Sequence, residues 1–479
     1  MTHPKRWLAG ALAVGVAVLT AAPAHAQGLI RDTEIEAVVA EWSEPILDAA
    51  GLEVDAVDIH IVGDNSLNAF VAAGQRMFFN TGIILASETP NELKGVIAHE
   101  AGHIAGGHLA RQADNIRSAR APTFIALLLG AAAIAAGAPD AGASLIAGSQ
   151  QFGALNFLRH NRVQEASADQ SAMNYLEATG QSGEGLVAFF DRFRYQELFS
   201  NQRRFEYFRT HPLSSDRIEA MRGRVDSSPY RDAKDPEYQY HQLEMMKAKI
   251  QGFLEPPGQT FFKYKASDGS QPSRYARSIA HFKLGQMDEA LDLVESLIAE
   301  EPENGYFYEL KGEMLIESGR APEAIAPLEQ AVAYLPRADI TRTLLGQAMI
   351  DERTDGRIHD GVEQLQAAVA IDPGNSGAWY HLARAYSKLD KIAYAEYATA
   401  ESKYAAGDPF GARSFAKRAL GKLPPGAPAW YRANEIVTSI ESDPRFQEAV
   451  RRGGGRPRQS RFRHEDKRAF ALGGEASSG

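Results

Sequence analysis

The chain has 479 residues, too many for one compact core, so two or more domains are expected. It contains no cysteine, which excludes disulfides, cysteine-ligated zinc and thiol nucleophiles. A metal site would therefore have to use His, Asp or Glu side chains. The formal net charge of −10 argues against a nucleic-acid partner, because nucleic acids attract basic surfaces.

The N-terminus has the pattern of a secretory signal peptide. Two basic residues precede an apolar run over 7–22, and Ala-His-Ala at 24–26 supplies the small residues of a signal-peptidase site. This pattern predicts a signal peptide over 1–26, cleavage near Ala26-Gln27 and a mature chain that begins at Gln27. An uncleaved membrane anchor is the alternative, although the apolar run is shorter than a membrane span usually needs.

Residues 28–118 have the pattern of a mixed α/β unit. The spacing of apolar residues predicts a helix over 31–50. Strands are predicted over 57–62, where apolar and polar residues alternate, and over 76–80. A further helix is predicted from Thr89, because this residue suits an N-cap, a proline follows it and a glutamate three residues later completes a capping box.

An apolar segment over 121–155 comes next. Its unbroken apolar run is shorter than the roughly 20 residues that span a bilayer. This favours a helical hairpin that is buried or lies against a membrane over a transmembrane helix. Residues 156–221 have a helical pattern. Residues 223–272 are predicted to form a polar connector with a helix over 237–253, which two following prolines end.

An internal repeat begins at about residue 273. A glycine, a Glu-Ala pair and a proline recur after 34 residues, at Gly285 and Gly319, Glu289-Ala290 and Glu323-Ala324, and Pro302 and Pro336. This period is typical of tetratricopeptide repeats, whose helical hairpins stack into a solenoid with a concave binding surface. The later landmarks Pro373 and Pro424 predict a spacing of 37 residues and then a fourth unit lengthened by about 14 residues. An irregular helical bundle over 273–445 is the alternative.

Residues 446–479 are rich in glycine and arginine. This composition predicts a disordered basic tail, because it offers few apolar side chains to bury. Basic segments also bind anionic lipid, so a peripheral membrane contact stays open.

The helix from Thr89 carries the motif His99-Glu100-Ala101-Gly102-His103. His99 and His103 are four residues apart, so both imidazoles project from one face and can bind one metal ion. Glu100 lies beside His99, where its carboxylate can take a proton from an activated water and deliver it to the leaving amine. Taken alone, the motif also fits an ordinary helix.

A catalytic zinc needs a third protein ligand. A histidine six residues after His103 is one solution, but Leu109 occupies that position. His108 is about 140° around the helix from His103, so we expect it to face elsewhere, as a surface or second-layer residue. The other solution is a glutamate on a later helix. Glu165 can bind the metal while Asp169, four residues on, accepts the Nδ1–H of a ligand histidine.

The motif HEAGH, followed by R-x-x-E-x-x-A-D at 162–169, resembles the gluzincin proteases, which include the heat-shock membrane protease HtpX and the prenyl endopeptidases. Soluble periplasmic members carry a signal peptide and C-terminal tetratricopeptide repeats, and this chain is similar to them over nearly its whole length. The resemblance implies an α+β zincin-type metalloprotease domain over 27–222 and an all-α tetratricopeptide-repeat solenoid over 273–445. It also implies one zinc ion per chain and a periplasmic location.

Further matches to this family lie at Asn68-Ala69-Phe70, at Thr210-His211-Pro212 and at Arg217. By resemblance, Asn68, Ala69 and Phe70 would belong to an edge strand that accepts substrate backbone by strand addition. His211 would lie over the zinc, where it could take the fourth position and act as a switch that inhibits or assists. A loop residue held by local hydrogen bonds is the alternative for His211. Arg217 would be a supporting or oxyanion-side residue.

The expected function is that of a periplasmic zinc endopeptidase in the quality control of outer-membrane protein assembly. By resemblance, it would degrade unfolded, stalled or misfolded outer-membrane proteins, and its repeats would dock clients and the outer-membrane assembly machinery. The alternative is a repeat-based periplasmic chaperone or adaptor with a structural or latent zinc site, since structural zinc usually has four protein ligands.

Overall fold

The computed structural model describes residues 28–72, 75–108, 162–199, 211, 214–351 and 355–452. The predicted signal peptide over 1–26, the apolar segment over 121–155 and most of the basic tail over 446–479 lie outside these residues. Within the described part of the chain, no helix combines the length and the apolar character that a membrane crossing requires.

Within the described residues, a four-stranded mixed sheet forms one layer of the N-terminal unit. Its strands are β1 (Leu29–Ile30), β2 (Asp58–Val62), β3 (Ala69–Ala72) and β4 (Arg76–Asn80). Their order in space is β1-β2-β4-β3, with β2 and β4 parallel and the two outer strands antiparallel to their neighbours. The strands predicted over 57–62 and 76–80 correspond to β2 and β4, and β3 lies at one edge of the sheet.

Six described helices complete this unit, and the first three of them contact the sheet. They are α1 (Thr33–Ala49), α2 (Thr81–Ala86), α3 (Pro90–Ala105), α4 (162–178), α5 (Glu184–Phe199) and α6 (Ser215–Ser227). Strand alternation directs Met77 and Phe79 into a core that also contains Trp42 of α1 and Ile97 of α3. Each large apolar side chain buried in this way contributes about 1.5–3 kcal/mol, so the core holds α3 firmly against the sheet.

The helices α3 and α4 approach each other closely where small residues meet. A Cβ on Gly102 would lie 3.0 Å from the backbone oxygen of Ala168, so a larger residue at 102 would force the helices apart. Ala168 is fully buried at this contact. Small residues at 166–168 permit this approach, which brings the carboxylates of α4 to the histidines of α3.

The helix α7 (Glu237–Leu254) joins the two parts of the chain and contributes to both of their cores. Three of its apolar residues pack into the N-terminal core and three pack into the first core of the repeats: Leu243, Met246 and Ile250, and Met245, Ala248 and Phe253. The helix predicted over 237–253 is present, but it is a buried bridge and not part of a polar linker. The short helix α8 (Pro257–Lys263) follows it.

Five helical hairpins follow within the described residues. They are α9 (Gln271–Lys283) with α10 (Met287–Glu300), α11 (Gly305–Glu317) with α12 (Ala321–Tyr334), α13 (Asp339–Asp351) with α14 (Asp355–Ile371), α15 (Ser376–Lys388) with α16 (Ile392–Ala405), and α17 (Pro409–Leu420) with α18 (Pro428–Ser442). A last helix, α19 (Pro444–Arg451), closes the array. The first helices begin at 271, 305, 339, 376 and 409, so the spacings are 34, 34, 37 and 33 residues. The fourth hairpin is therefore not lengthened as predicted, because Pro424 lies between the two helices of the fifth hairpin.

Buried polar groups join the start of α1 to α7 and to the first repeat. The Lys249 ammonium lies 2.8 Å from the Asp32 carboxylate, and the Tyr275 hydroxyl donates a hydrogen bond to Glu34 at 2.8 Å. All four side chains are buried. Because an unpaired buried charge is costly, this network holds the repeats in one position on the N-terminal unit.

Glu309 of α11 extends this network and makes it sensitive to pH. The carboxylate accepts a hydrogen bond from Thr33 at 2.8 Å and another from Thr341. Burial raises the pKa of Glu309 from 4.5 to about 7, although Lys249 acts in the opposite direction. Because the folded-state pKa is raised, the stability that Glu309 contributes is present below pH 4.5 and is lost as the pH rises through about 7.

We expect Glu309→Gln to match the wild type at pH 4.5 and to exceed it by roughly 1–3 kcal/mol at pH 8, because the amide does not have to lose a proton. Urea unfolding at a series of pH values measures this difference. Glu303→Gln, at an exposed position just before α11, serves as the matched control. A stability difference for Glu309→Gln that stays constant with pH would contradict the prediction.

Candidate metal centre

The helix α3 begins at a defined cap. The Thr89 hydroxyl accepts a hydrogen bond from the N–H of Glu92 at 3.3 Å, and Pro90 occupies the first helical position. The Glu92 carboxylate accepts from the N–H of Glu88 at 2.7 Å and pairs with Arg192. This is the predicted capping box with its return bond shifted by one residue. It fixes where the helix begins and which of its faces points inward.

Four side chains from α3, α4 and residue 211 converge on one point. The Nε2 atoms of His99 and His103 are 3.1 Å apart, and each lies 3.4 Å from an oxygen of Glu165. Nδ1 of His211 lies 3.1 Å from Glu165 Oε2 and 3.3 Å from His99 Nε2. One donor atom from each of the four residues lies within 4.8 Å of the others. Three imidazoles and a carboxylate in this arrangement suit zinc, which prefers four nitrogen, sulfur or oxygen ligands.

Glu100 lies beside this cluster and faces His211. Its side chain is nearly fully buried, and its Oε1 is 3.6 Å from Nε2 of His211. His211 therefore contacts the donor cluster through one ring nitrogen and Glu100 through the other. This imidazole therefore lies between Glu100 and the donor cluster.

Asp169 and Arg217 contact the donor cluster without belonging to it. Asp169 Oδ1 lies 3.1 Å from Nδ1 of His99, which fixes the ring with its Nε2 towards the cluster. Arg217 of α6 donates two hydrogen bonds to the Asp169 carboxylate, at 2.6 and 2.8 Å, and lies 3.3 Å from Glu165. Because its guanidinium is engaged with two carboxylates, this geometry favours a supporting role for Arg217 over an oxyanion-side role.

The charged groups of the cluster shift one another's pKa values. Burial lowers the pKa of His99, but Asp169 and Glu165 raise it overall to about 9. Burial raises the pKa of Glu165, but His211 and His99 bring it well below its usual range. Burial and the neighbouring His99 lower the pKa of His103. Opposed shifts of this kind are concentrated at functional sites, because such sites bring ionisable groups together out of water.

The orientation of His108 differs from the sequence-based prediction, whereas its buried contact with His103 fits the predicted second-layer position. The prediction that it faces away from His103 assumes that the helix continues beyond Ala105. The helix instead ends there, and Gly107 has a φ of 60°, which turns the chain back. His108 is buried, and its Nδ1 lies 3.1 Å from Nδ1 of His103. The consecutive glycines at 106 and 107 were the signal in the sequence that could have revealed this turn.

The segment Asn68-Ala69-Phe70 lies at the start of the edge strand β3. Asn68 is buried, and its carbonyl accepts a hydrogen bond from the N–H of Asn80 at 2.9 Å. The ring of Phe70 stacks on Phe78 of β4, with 4.9 Å between the centroids. β3 also lies beside α3, so the edge of the described sheet runs close to the helix that carries the motif.

The region that holds this site matches a known family. Residues 30–225 match the model of peptidase family M48. This region is a peptidase family M48 domain. A Vibrio cholerae protein provisionally named a beta-barrel assembly-enhancing protease is 26% identical to the chain, over 70% of this chain and 69% of that protein. The beta-barrel assembly-enhancing protease of Escherichia coli K12 is 23% identical, over 69% and 67%. Among solved structures, the TPR protein YrrB is 18% identical, with a TM-score of 0.30, and covers 36% of this chain and 91% of that one.

The M48 domain, the protease relatives and the four-residue donor cluster identify the chain as a metalloprotease. The predicted fold class is also confirmed, since an α+β peptidase domain is followed by helical hairpins of the tetratricopeptide type. The resemblance to gluzincin proteases rested on HEAGH and on the acidic pair of α4. Both elements contribute residues to the candidate metal centre.

Proposed function

We propose that this chain is a zinc-dependent endopeptidase that acts in the periplasm on unfolded or stalled outer-membrane proteins. The observation that carries the proposal is the convergence of His99, His103 and Glu165 within reach of Glu100. Three protein ligands beside a buried carboxylate are what a hydrolytic zinc site needs, because one coordination position then serves water or substrate.

The catalytic roles follow from this geometry. Zinc, when bound by His99, His103 and Glu165, supplies a Lewis acid that acidifies water and polarises the scissile carbonyl. Glu100 accepts the proton from the attacking water on its carboxylate and passes it to the leaving amine. Asp169 keeps the proton of His99 on Nδ1, so that Nε2 stays available as a ligand.

Substrate recognition in this proposal uses backbone pairing. An extended segment would add to the outer edge of β3, where Asn68-Ala69-Phe70 begins the strand, and would run past α3. Pairing through main-chain groups tolerates many sequences, which suits an enzyme that acts on unfolded chains. The two relatives described above are named for β-barrel assembly. We extend that role to this chain, with the repeats as the docking surface for clients and assembly machinery.

A second candidate function is that of a chaperone or adaptor with a structural zinc. His211 favours it, because its Nδ1 lies among the other donors and could complete a closed set of four ligands. The presence of Glu100 favours the enzyme, because a structural site needs no proton acceptor beside its ligands.

Removal of zinc tests the proposal directly. We expect a chelator to reduce cleavage of an unfolded β-barrel protein by about 100-fold or more, and stoichiometric zinc to restore it, because water activation depends on the ion. Cleavage is followed by gel electrophoresis, and metal content by elemental analysis. Proteolysis that persists in protein shown to be free of metal would rule out the proposed chemistry.

Replacing His211 separates a switch from a structural ligand. If the imidazole blocks the space beside Glu100, His211→Ala should raise the rate of proteolysis roughly tenfold. This factor corresponds to a free energy of about 1.4 kcal/mol that favours the blocked arrangement. The initial rate of cleavage of an unfolded protein measures this effect. His241→Ala, at an exposed position of α7, is the matched control. Weaker zinc binding without a gain in proteolysis would instead favour a structural site.

A further inference from the structure

A two-glycine turn after α3 returns the chain to the metal centre. Gly106 caps the helix with its N–H on the carbonyl of Gly102 at 2.9 Å, and the N–H of Gly107 donates to Ile104 at 2.9 Å. Gly107 has a φ of 60°, a left-handed conformation that glycine adopts without strain. The next residue, His108, is thereby directed back over the last turn of the helix.

The imidazole of His108 packs closely against the imidazole of His103. The two Nδ1 atoms are 3.1 Å apart, and the rings meet edge to face with 4.9 Å between their centroids. His108 is 4% exposed, so water does not compete freely for this contact. A Cβ on Gly106 would lie 2.5 Å from Nε2 of His108, so the absence of a side chain at 106 leaves room for this ring.

The ring nitrogen of His103 that carries the proton determines which hydrogen bond can form between His103 and His108. The Nε2 of His103 points into the donor cluster, 3.1 Å from the corresponding atom of His99. A neutral imidazole that offers Nε2 as a ligand carries its proton on Nδ1. That proton then has Nδ1 of His108 as its acceptor, which requires His108 to carry its own proton on Nε2.

We propose that His108 is a positioning residue for the metal ligand His103, as Asp169 is for His99. Each ligand histidine then has a partner that holds its proton on Nδ1 and fixes the angle of its ring. The two partners differ in charge. Asp169 is an anion paired with Arg217, whereas a histidine acceptor brings no negative charge to the cluster.

This inference deepens the proposed zinc site and rests on it, so the test measures zinc binding apart from proteolysis. His108→Phe keeps a ring of similar size but has no acceptor, whereas His108→Asn places an acceptor oxygen near the position of Nδ1. Zinc affinity is measured by competition with a chromophoric chelator on the full chain. We expect His108→Phe to bind zinc about 10–100-fold more weakly and His108→Asn to recover most of this loss.

Two controls show whether a change in zinc affinity comes from the contact between His108 and His103. His381→Phe removes a buried histidine of the repeats and should leave zinc affinity unchanged. Thermal unfolding of the zinc-free variants should give equal midpoints for His108→Phe and His108→Asn. A zinc affinity of His108→Phe within twofold of the wild type would overturn the positioning role. An equal loss of zinc affinity in His108→Phe and His108→Asn would overturn it as well. A wild-type chain that binds no zinc would instead overturn the proposed function itself.

Discussion

Glu100→Gln is expected to reduce proteolysis by about 10²–10⁴-fold and to leave zinc bound at one ion per chain. The amide has almost the shape of the carboxylate but cannot accept the proton of the attacking water. Glu100 is only 1% exposed and is not part of the four-residue donor cluster, so its replacement leaves the ligands in place. The measurement is kcat/KM on an unfolded protein, combined with zinc content per chain.

Glu92→Gln is the matched control for this experiment. Glu92 is also a buried glutamate of α3, but it serves the helix cap and lies seven residues before His99. We expect this variant to keep its activity per folded molecule. A loss of activity in Glu92→Gln would show that neutralising any buried glutamate of α3 impairs the enzyme. If Glu100→Gln cleaves unfolded protein at the wild-type rate, the enzymatic assignment of this site is wrong.

Arg217→Met is expected to destabilise the catalytic domain by about 3–5 kcal/mol. The substitution removes the guanidinium that binds Asp169 at 2.6 and 2.8 Å and lies 3.3 Å from Glu165. Two buried carboxylates then lose the permanently charged partner that lies close to both of them. Urea unfolding of the zinc-free protein measures the loss, and amide hydrogen exchange in α4 and α6 shows whether it is local to this pair.

A surface ion pair provides the comparison for Arg217. Arg222, on the same helix, pairs with Asp191 at 3.2 Å, but both side chains are substantially exposed. Arg222→Met should therefore cost no more than about 1 kcal/mol. The double variant Arg217→Met with Asp169→Asn should recover part of the loss, since neutralising the carboxylate relieves the unpaired charge. A cost for Arg217→Met as small as that for Arg222→Met would contradict the buried-pair argument.

Local patterns in the sequence determined the elements of this protein. The Thr89-Pro90 start predicted α3, because a cap and a proline act within one turn of the helix. The 34-residue landmarks predicted the first repeat hairpins, because each hairpin packs mainly on its neighbours along the chain. The four-residue spacing of His99 and His103, and of Glu165 and Asp169, predicted which side chains share a helix face, since helix geometry alone sets that spacing.

Tertiary structure decided which of these faces meet. Nothing near Arg217 in the sequence shows that it pairs with Asp169, because α6 must first fold against α4. The bridging role of α7 also depends on two cores that form from distant segments. His108 shows the limit most directly. The helical angle that predicted it to face away applies only while the helix lasts, and the turn at Gly107 reverses its direction. The sequence therefore determined the types and spacing of the candidate ligands, whereas packing between distant segments decided how each of these side chains is held.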